Sequence, residues 1–367
     1  MRWRTILAVA TALGCSPRSA TEPELGTPDA TVHAAAAPTP PRDTIAPAPV
    51  TAEPVAPARV VADSSFPKRG PLVDRKASSG LAEIAKELPK GSLTWVGPLA
   101  GNGGRDVLVH VPAGADPHAD FQLVYHFHGT HSEHVERQAP GMPKKQWVGW
   151  DRVMQTVEAI TALQAKGKGN VALVYPLSAG KRREPGKTGW YNKEYDRMWM
   201  DPEPPAFTDD FDVLWDETRA LLQEHFGVHE SKLPARAIAE GHSAGGIALY
   251  NIAAQGTEHV AEYLFLDASF QSWADGTWKA LQPQKPPPLV SIVVTINGIA
   301  DPFGKPDPWC NELEPDEIEE YQAWCDAMKN DARDLPGVFV HRTKIPHGKQ
   351  PRHFVGGLEL PDDRYAQ

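Results

Sequence analysis

Apolar and polar positions follow two alternating patterns after residue 91. Short apolar runs typical of buried strands alternate with longer segments in which apolar residues recur every three or four positions, as in amphipathic helices. The predicted strands are residues 92–96, 106–111, 122–127, 171–175, 236–239, 263–266, 289–296 and 338–341, and the predicted helices are residues 147–165, 211–226, 247–254 and 314–328. This pattern predicts an α/β fold, with a mostly parallel eight-stranded sheet and helices on both faces, in a single domain over residues 72–367.

The first 71 residues have a different pattern. Arg2 and Arg4 precede an apolar run that ends at Gly14 and is too short to span a bilayer, which predicts a signal peptide over residues 1–14. The next residue is Cys15, and the Ala-Leu-Gly-Cys sequence resembles a bacterial lipobox with alanine where leucine is usual. We expect an exported, membrane-anchored bacterial lipoprotein; a secreted or periplasmic chain and a cytoplasmic chain are the alternatives.

Residues 15–71 are dominated by Pro, Ala and Thr and contain few large apolar side chains. Such a segment buries too little surface to offset the entropy of ordering the chain. We predict a disordered tether that holds the folded domain away from its anchor, although a dispensable leader is equally compatible with this composition.

Charge and cysteine content narrow the function classes. The net charge of −10 and the lack of a basic tail argue against nucleic-acid binding, which requires clustered Lys and Arg. Cys310 and Cys325 are the cysteines beyond the signal, and an exported chain would allow a disulfide between them. A continuous helix would separate them by about 22 Å, so the bridge requires the chain to fold back along the predicted helix.

One five-residue motif lies between the predicted strand 236–239 and the helix 247–254. Residues 241–245 read Gly-His-Ser-Ala-Gly and place Ser243 on the turn between the two elements. A serine on such a turn is exposed in strained backbone, and the flanking glycines let strand and helix approach closely. We therefore expect Ser243 to be a nucleophile and a larger residue at 241 or 245 to clash.

Candidate partners for the serine follow later strands, because active groups collect beyond the carboxyl ends of parallel strands. Asp301 follows the predicted strand 289–296 and is the preferred acid. Asp267, at the end of the preceding strand, and Asp307 remain alternatives. His347 comes directly after the last predicted strand and is preferred to His353 as the base.

The chain order Ser, Asp, His resembles that of the α/β-hydrolase superfamily, as does the His-Gly-Thr turn at residues 128–130. The resemblance covers residues 95 to 354 and is closest to secreted serine esterases. It implies that His347 is the general base and that Asp301 holds its tautomer. It also implies that the backbone N–H groups of Ala244 and Thr130 form the oxyanion hole, and that no cofactor is needed.

Two other features carry competing interpretations. His126, His128 and His131 have spacing similar to the zinc turn of metallo-β-lactamase-like hydrolases, but Thr130 stands where that family has an aspartate ligand, so we expect no metal. A long insertion over residues 178–208 contains Trp190, Tyr191 and Trp199. These aromatic residues could bind an acyl group, and simple packing over the sheet edge is an equal alternative.

These patterns favour a serine hydrolase that cleaves carboxylic esters, of small molecules or polymers, through an acyl-serine intermediate. A peptidase or amidase would use the same groups. A non-catalytic cell-surface binding protein on a hydrolase scaffold is the hypothesis from another class. Contact with a membrane is expected only through the lipid anchor.

Overall fold

The computed structural model describes residues 71–77, 79–129, 148–167, 169–178, 200, 209–268, 273–296 and 336–366. Nine strands lie within these ranges. They are β1 (Leu72–Val73), β2 (Leu93–Leu99), β3 (Arg105–Val111), β4 (Phe121–Phe127), β5 (Asn170–Pro176), β6 (Ala237–His242), β7 (Val260–Leu266), β8 (Leu289–Thr295) and β9 (Val338–Thr343).

The strands form one sheet in the order β1-β2-β3-β5-β4-β6-β7-β8-β9. β3 runs antiparallel to both of its neighbours, and the other pairings described are parallel. The prediction of a mostly parallel sheet is confirmed, and each of the eight predicted strands is present. The ninth strand, β1, has only two residues, which are too few to show a period-two pattern in the sequence.

The described helices are α1 (Leu81–Ala85), α2 (Val148–Ala165), α3 (Phe211–Glu224), α4 (Gly246–Gln255), α5 (Trp273–Leu281) and α6 (Gln350–Phe354). The predicted helices over 147–165, 211–226 and 247–254 correspond to α2, α3 and α4. The pattern missed α1, α5 and α6, because five to nine residues give too few turns for a helical period to stand out. The predicted helix over 314–328 lies outside the described residues.

Hydrophobic side chains on the two faces of the sheet form two separate cores. Val107 and Val109 of β3 belong to one core together with α3, α4 and α5. Leu108, which lies between them and points to the opposite face, belongs to a second core with α1, α2 and α6. The expectation of helices on both faces is therefore confirmed.

Local chemistry explains where α3 and α4 begin and end. The carboxylate of Asp210 accepts hydrogen bonds from the backbone N–H groups of Asp212 and Val213, at 2.9 and 3.1 Å, and so caps the start of α3. α4 ends at Gln255 and is followed by Gly256, whose φ of +77° is the left-handed conformation that glycine adopts without a steric penalty. None of the helices in these described ranges is long and apolar enough to cross a membrane.

Candidate active site

Ser243 lies directly after β6, at the carboxyl edge of the sheet. Its φ is +53°, a left-handed conformation that is rare for a residue with a side chain and costs backbone energy. A short 3₁₀ turn, Ser243–Gly245, leads from the strand into α4. The strand, strained turn and helix are thus arranged as the sequence motif predicts.

The two glycines of the motif allow this tight turn. A Cβ atom on Gly241 would lie 2.4 Å from the carbonyl oxygen of Gly245. A Cβ atom on Gly245 would lie 2.0 Å from the carbonyl oxygen of Phe127 in β4. Both distances are far below van der Waals contact with backbone atoms, so the predicted clash of larger residues is confirmed.

His347 follows β9 and begins the 3₁₀ turn His347–Lys349. Its Nδ1 atom lies 2.7 Å from Oδ2 of Asp267. The second carboxylate oxygen, Oδ1, accepts a hydrogen bond of 3.2 Å from the backbone N–H of Thr295. The aspartate side chain is 2% exposed whereas that of His347 is 42% exposed, so the pair combines a buried carboxylate with an accessible imidazole.

The carboxylate beside His347 is therefore Asp267, the alternative acid of the sequence analysis. Asp267 follows β7, the immediate neighbour of β6, and its φ of +46° turns the chain at the end of the strand. Asp301, the preferred acid, lies outside the described residues, as does Asp307. Asp301 as the acid stays a prediction, and among the described residues the carboxylate at Nδ1 of His347 is that of Asp267.

Two contacts bring the residues around Ser243 and His347 together. Nε2 of His242, the residue before the serine, lies 2.9 Å from the backbone carbonyl oxygen of His347. The ring centroids of these two histidines are 4.6 Å apart. The residue before the candidate nucleophile thus directly contacts the turn that carries the candidate base.

The predicted oxyanion donors come from two turns, Ala244 directly after the serine and Thr130 on the turn after β4. Ala244 is buried at the start of the turn into α4, where backbone N–H groups have no partner within the helix. Thr130 lies outside the described residues. Its predecessor Gly129 is close to the serine, since a Cβ atom there would lie 2.9 Å from Cβ of Ser243.

Two of the three histidines of the zinc alternative, His126 and His128, lie in the described residues and have other partners. His128 Nδ1 lies 2.8 Å from the carbonyl oxygen of Gly129, and its Nε2 accepts a hydrogen bond of 3.1 Å from the backbone N–H of Ser178. Burial lowers the pKa of His128 to about 3, so its imidazole is neutral at physiological pH. His126 Nδ1 lies 2.7 Å from Oε1 of Glu240, and His131 is outside the described residues.

Within the part of the chain that is described, no three His, Cys, Asp or Glu side chains are grouped to hold a metal ion. His353, the alternative base, lies in α6 with its Nδ1 3.0 Å from Oε1 of Glu359. The remaining predicted site residues lie outside the described ranges and stay predictions: Cys15, Trp190, Tyr191, Trp199, Cys310 and Cys325.

Sequence reasoning missed the supporting groups around the site. His126 and Glu240 are directly paired neighbours on β4 and β6, so their contact depends on sheet register. Arg152 of α2 donates a hydrogen bond through Nη1 to the carbonyl oxygen of Gly348, next to His347. The sequence signal that could have pointed to such a supporting group was the position of His242 inside the serine motif.

No family model matches the chain, and no curated protein matches it. Among solved structures, the siderophore hydrolase EstB from Aspergillus nidulans is 16% identical with a TM-score of 0.41, covering 75% of this chain and 97% of that one. An S-formylglutathione hydrolase from Agrobacterium tumefaciens is 15% identical with a TM-score of 0.36, and the match covers 65% of this chain and 80% of that one. LpqC, a poly(3-hydroxybutyrate) depolymerase from Bordetella parapertussis, is 15% identical with a TM-score of 0.38, and the match covers 70% of this chain and 85% of that one.

The topology of the chain itself is distinctive. A mostly parallel sheet contains one antiparallel strand, β3, near its beginning, and helices cover both faces. The serine turn follows β6, an interior strand between β4 and β7, and the histidine follows β9, the last strand. This combination is the α/β-hydrolase fold.

Proposed function

We propose that the protein is a serine hydrolase that cleaves carboxylic esters through an acyl-serine intermediate. The observation that carries the proposal is the hydrogen bond between Nδ1 of His347 and Asp267 at 2.7 Å, on a turn that contacts the strained Ser243 turn through His242. A nucleophile, a base and an orienting acid on adjacent turns are the groups that acyl transfer requires.

In the proposed reaction, Oγ of Ser243 attacks the ester carbonyl carbon while Nε2 of His347 takes the hydroxyl proton. Asp267 holds the Nδ1–H tautomer and stabilises the imidazolium that forms. The imidazolium then gives its proton to the leaving alkoxide, which departs as an alcohol. The same base next takes a proton from water, and the water oxygen attacks the acyl carbon. The bond from this carbon to Oγ of Ser243 then breaks, Oγ takes the proton from the imidazolium, and the carboxylic acid leaves.

The negative charge on the carbonyl oxygen during each attack requires fixed donors. We assign this role to the backbone N–H groups of Ala244 and Thr130. The position of Ala244 at the start of a helix supports its assignment, because the N–H groups there point away from the helix and the helix dipole favours negative charge. Removal of one such donor typically costs about 3 kcal/mol of transition-state stabilisation.

The direct test uses a matched pair of serine variants. Ser243→Ala is expected to abolish hydrolysis of p-nitrophenyl acetate and labelling by a fluorophosphonate probe. The control is Ser231→Ala, because Oγ of Ser231 lies 2.8 Å from Nδ1 of His229 on the exposed surface and is also paired with a histidine. Activity that survives in the Ser243 variant, or that is lost in both variants, contradicts the proposal.

The choice of an ester over an amide comes from how common each activity is among such hydrolases and needs its own experiment. Wild-type protein is tested with esters of increasing acyl length, aryl esters and peptide anilides at equal concentration. We expect the highest kcat/KM with an ester. A peptide anilide as the best substrate would identify an amidase, and a protein that turns over no substrate and resists the probe would favour the binding-protein hypothesis.

We also propose that the chain is exported and anchored through a lipid on Cys15, on the basis of the signal-like residues 1–14 and the lipobox-like sequence before the cysteine. Cys15→Ala in the full-length protein, expressed in a bacterial host, is expected to move the protein from the membrane fraction to the soluble fraction. Unchanged fractionation contradicts the lipid anchor and leaves the catalytic proposal intact.

A further inference from the structure

His242 is the last residue of β6, directly before the serine, and is buried, with 2% of its surface exposed. Its Nε2 atom is 2.9 Å from the backbone carbonyl oxygen of His347. A carbonyl oxygen only accepts hydrogen bonds, so Nε2 of His242 carries the proton and donates it. The residue covalently bonded to Ser243 therefore holds the backbone of His347.

The protonation state of His242 suits this contact. Burial is the main cause that lowers the pKa of His242 well below 6.5, and unfavourable electrostatic interactions with the side chains of His347 and Arg152 add to it. The ring is therefore neutral near pH 7, and its single proton is on the nitrogen that donates. A charged ring 4.6 Å from His347 would oppose the positive charge that His347 acquires when it takes the serine proton.

A second side chain holds the neighbouring carbonyl group. Nη1 of Arg152, from α2, donates to the carbonyl oxygen of Gly348. His242 of β6 and Arg152 of α2 thus bind the carbonyl groups of His347 and Gly348. Asp267 binds the imidazole ring of His347. The backbone and the ring of the base are fixed by different residues.

We propose that His242 is a positioning residue that fixes the distance between the serine and the base. This inference rests on the proposed function. The connection from Ser243 to His347 through His242 needs only one peptide bond and one hydrogen bond, because His242 is the residue next to the serine. Loss of the donor releases the His347 turn, and a displacement of about 1 Å can lower a rate about 100-fold.

The test compares a variant that lacks the donor with one that keeps it. His242→Leu removes the N–H group but keeps an apolar side chain, and we expect kcat for p-nitrophenyl acetate to fall about 10- to 100-fold, with KM changed less than about threefold. His242→Gln places an N–H group at the reach of Nε2, and we expect it to recover at least about tenfold of the lost kcat. Thermal melting of both variants reports whether each one is folded.

An independent variant at α2 covers the case in which His242→Leu unfolds. Arg152→Met, at a half-buried position, removes the donor to Gly348 and should lower kcat in the same way with little change in KM. Equal kcat in wild type and His242→Leu, or a His242→Gln variant as slow as His242→Leu, overturns the positioning role. Hydrolysis that persists in Ser243→Ala overturns the proposed function instead, so the two failures are distinguishable.

Discussion

Two histidine–carboxylate pairs in this protein have nearly the same geometry. His347 Nδ1 lies 2.7 Å from Asp267, and His126 Nδ1 lies 2.7 Å from Glu240. In each carboxylate the second oxygen accepts a backbone N–H, from Thr295 in the first pair and from Gly356 in the second. The hydrogen-bond pattern alone does not distinguish a candidate catalytic pair from a structural one.

The pairs differ in where the sheet places them. His126 and Glu240 are directly opposite each other on β4 and β6, and their side chains are 2% and 0% exposed. Burial raises the pKa of Glu240, because the ionised carboxylate is removed from water. The side chain of His347, beyond the end of β9, is 42% exposed. The surroundings, rather than the bond, determine which imidazole is available to a substrate.

From this difference we expect a substitution in the His347–Asp267 pair to lower activity, and a substitution in the His126–Glu240 pair to lower stability. Asp267→Asn should lower kcat/KM about 10³- to 10⁴-fold, because the amide favours the wrong imidazole tautomer. The carbonyl oxygen of the asparagine still accepts the Thr295 N–H, so the melting temperature should change little. Kinetics with p-nitrophenyl acetate and thermal melting measure the two effects.

The control for this prediction is Asp301→Asn, at the acid that the sequence favoured. We expect it to lower kcat/KM less than about tenfold. A loss as large as that of Asp267→Asn would return Asp301 to the candidate active site.

Breaking the buried pair should affect stability instead. Glu240→Ala leaves His126 and the Gly356 N–H without their partner, and we expect the free energy of unfolding to fall by about 3–5 kcal/mol. The folded fraction should keep kcat within about tenfold of wild type. Urea unfolding and active-site titration with a fluorophosphonate measure these quantities.

The control for Glu240→Ala is Glu224→Ala, because Glu224 is exposed. This variant should change the free energy of unfolding by less than about 0.5 kcal/mol. If kcat of Glu240→Ala collapsed while its stability stayed the same, the contrast between the two pairs would be wrong.

The smallest expected effect is the loss of stability when a buried histidine takes up a proton at low pH. Burial lowers the pKa of His110 to about 4, whereas the unfolded chain takes up this proton near pH 6.5. The stability that neutral His110 contributes is therefore present above pH 6.5 and is lost progressively as pH falls towards 4, by about 2 kcal/mol at pH 5. His110→Asn, which keeps a polar group beside Thr94, should reduce the difference in unfolding free energy between pH 7 and pH 5 by about that amount.

Urea unfolding of wild type and His110→Asn at the two pH values provides the measurement. An unchanged pH dependence in the variant would show that His110 does not titrate as its burial requires. The exposed histidine His118 is the control position, because His118→Asn removes no buried group.

Much of the fold was predictable because its signals are local. Apolar runs of four to eight residues marked each long strand, and three- and four-residue periods marked α2, α3 and α4. The turn around Ser243 was equally predictable, because its two glycines and the flanking elements are contiguous in the chain. The position of His347 directly after the last strand also made it a candidate from sequence alone.

The acid could not be chosen in this way. Asp267 and Asp301 each follow a predicted strand, so the sequence offers the same local signal twice. The choice depends on which carboxylate the sheet order and the loop path bring to the ring of His347. Likewise, the pairing of His126 with Glu240 depends on register between strands more than 100 residues apart in sequence.

The sequence by itself therefore determined the order of elements and the position of the candidate nucleophile, since both depend on neighbouring residues. Only the tertiary structure decided which carboxylate supports the exposed histidine, which carboxylate is paired inside the core, and that His242 reaches the backbone of His347. These contacts join residues far apart along the chain, and the close packing of the folded sheet and its loops is what brings them within hydrogen-bond distance.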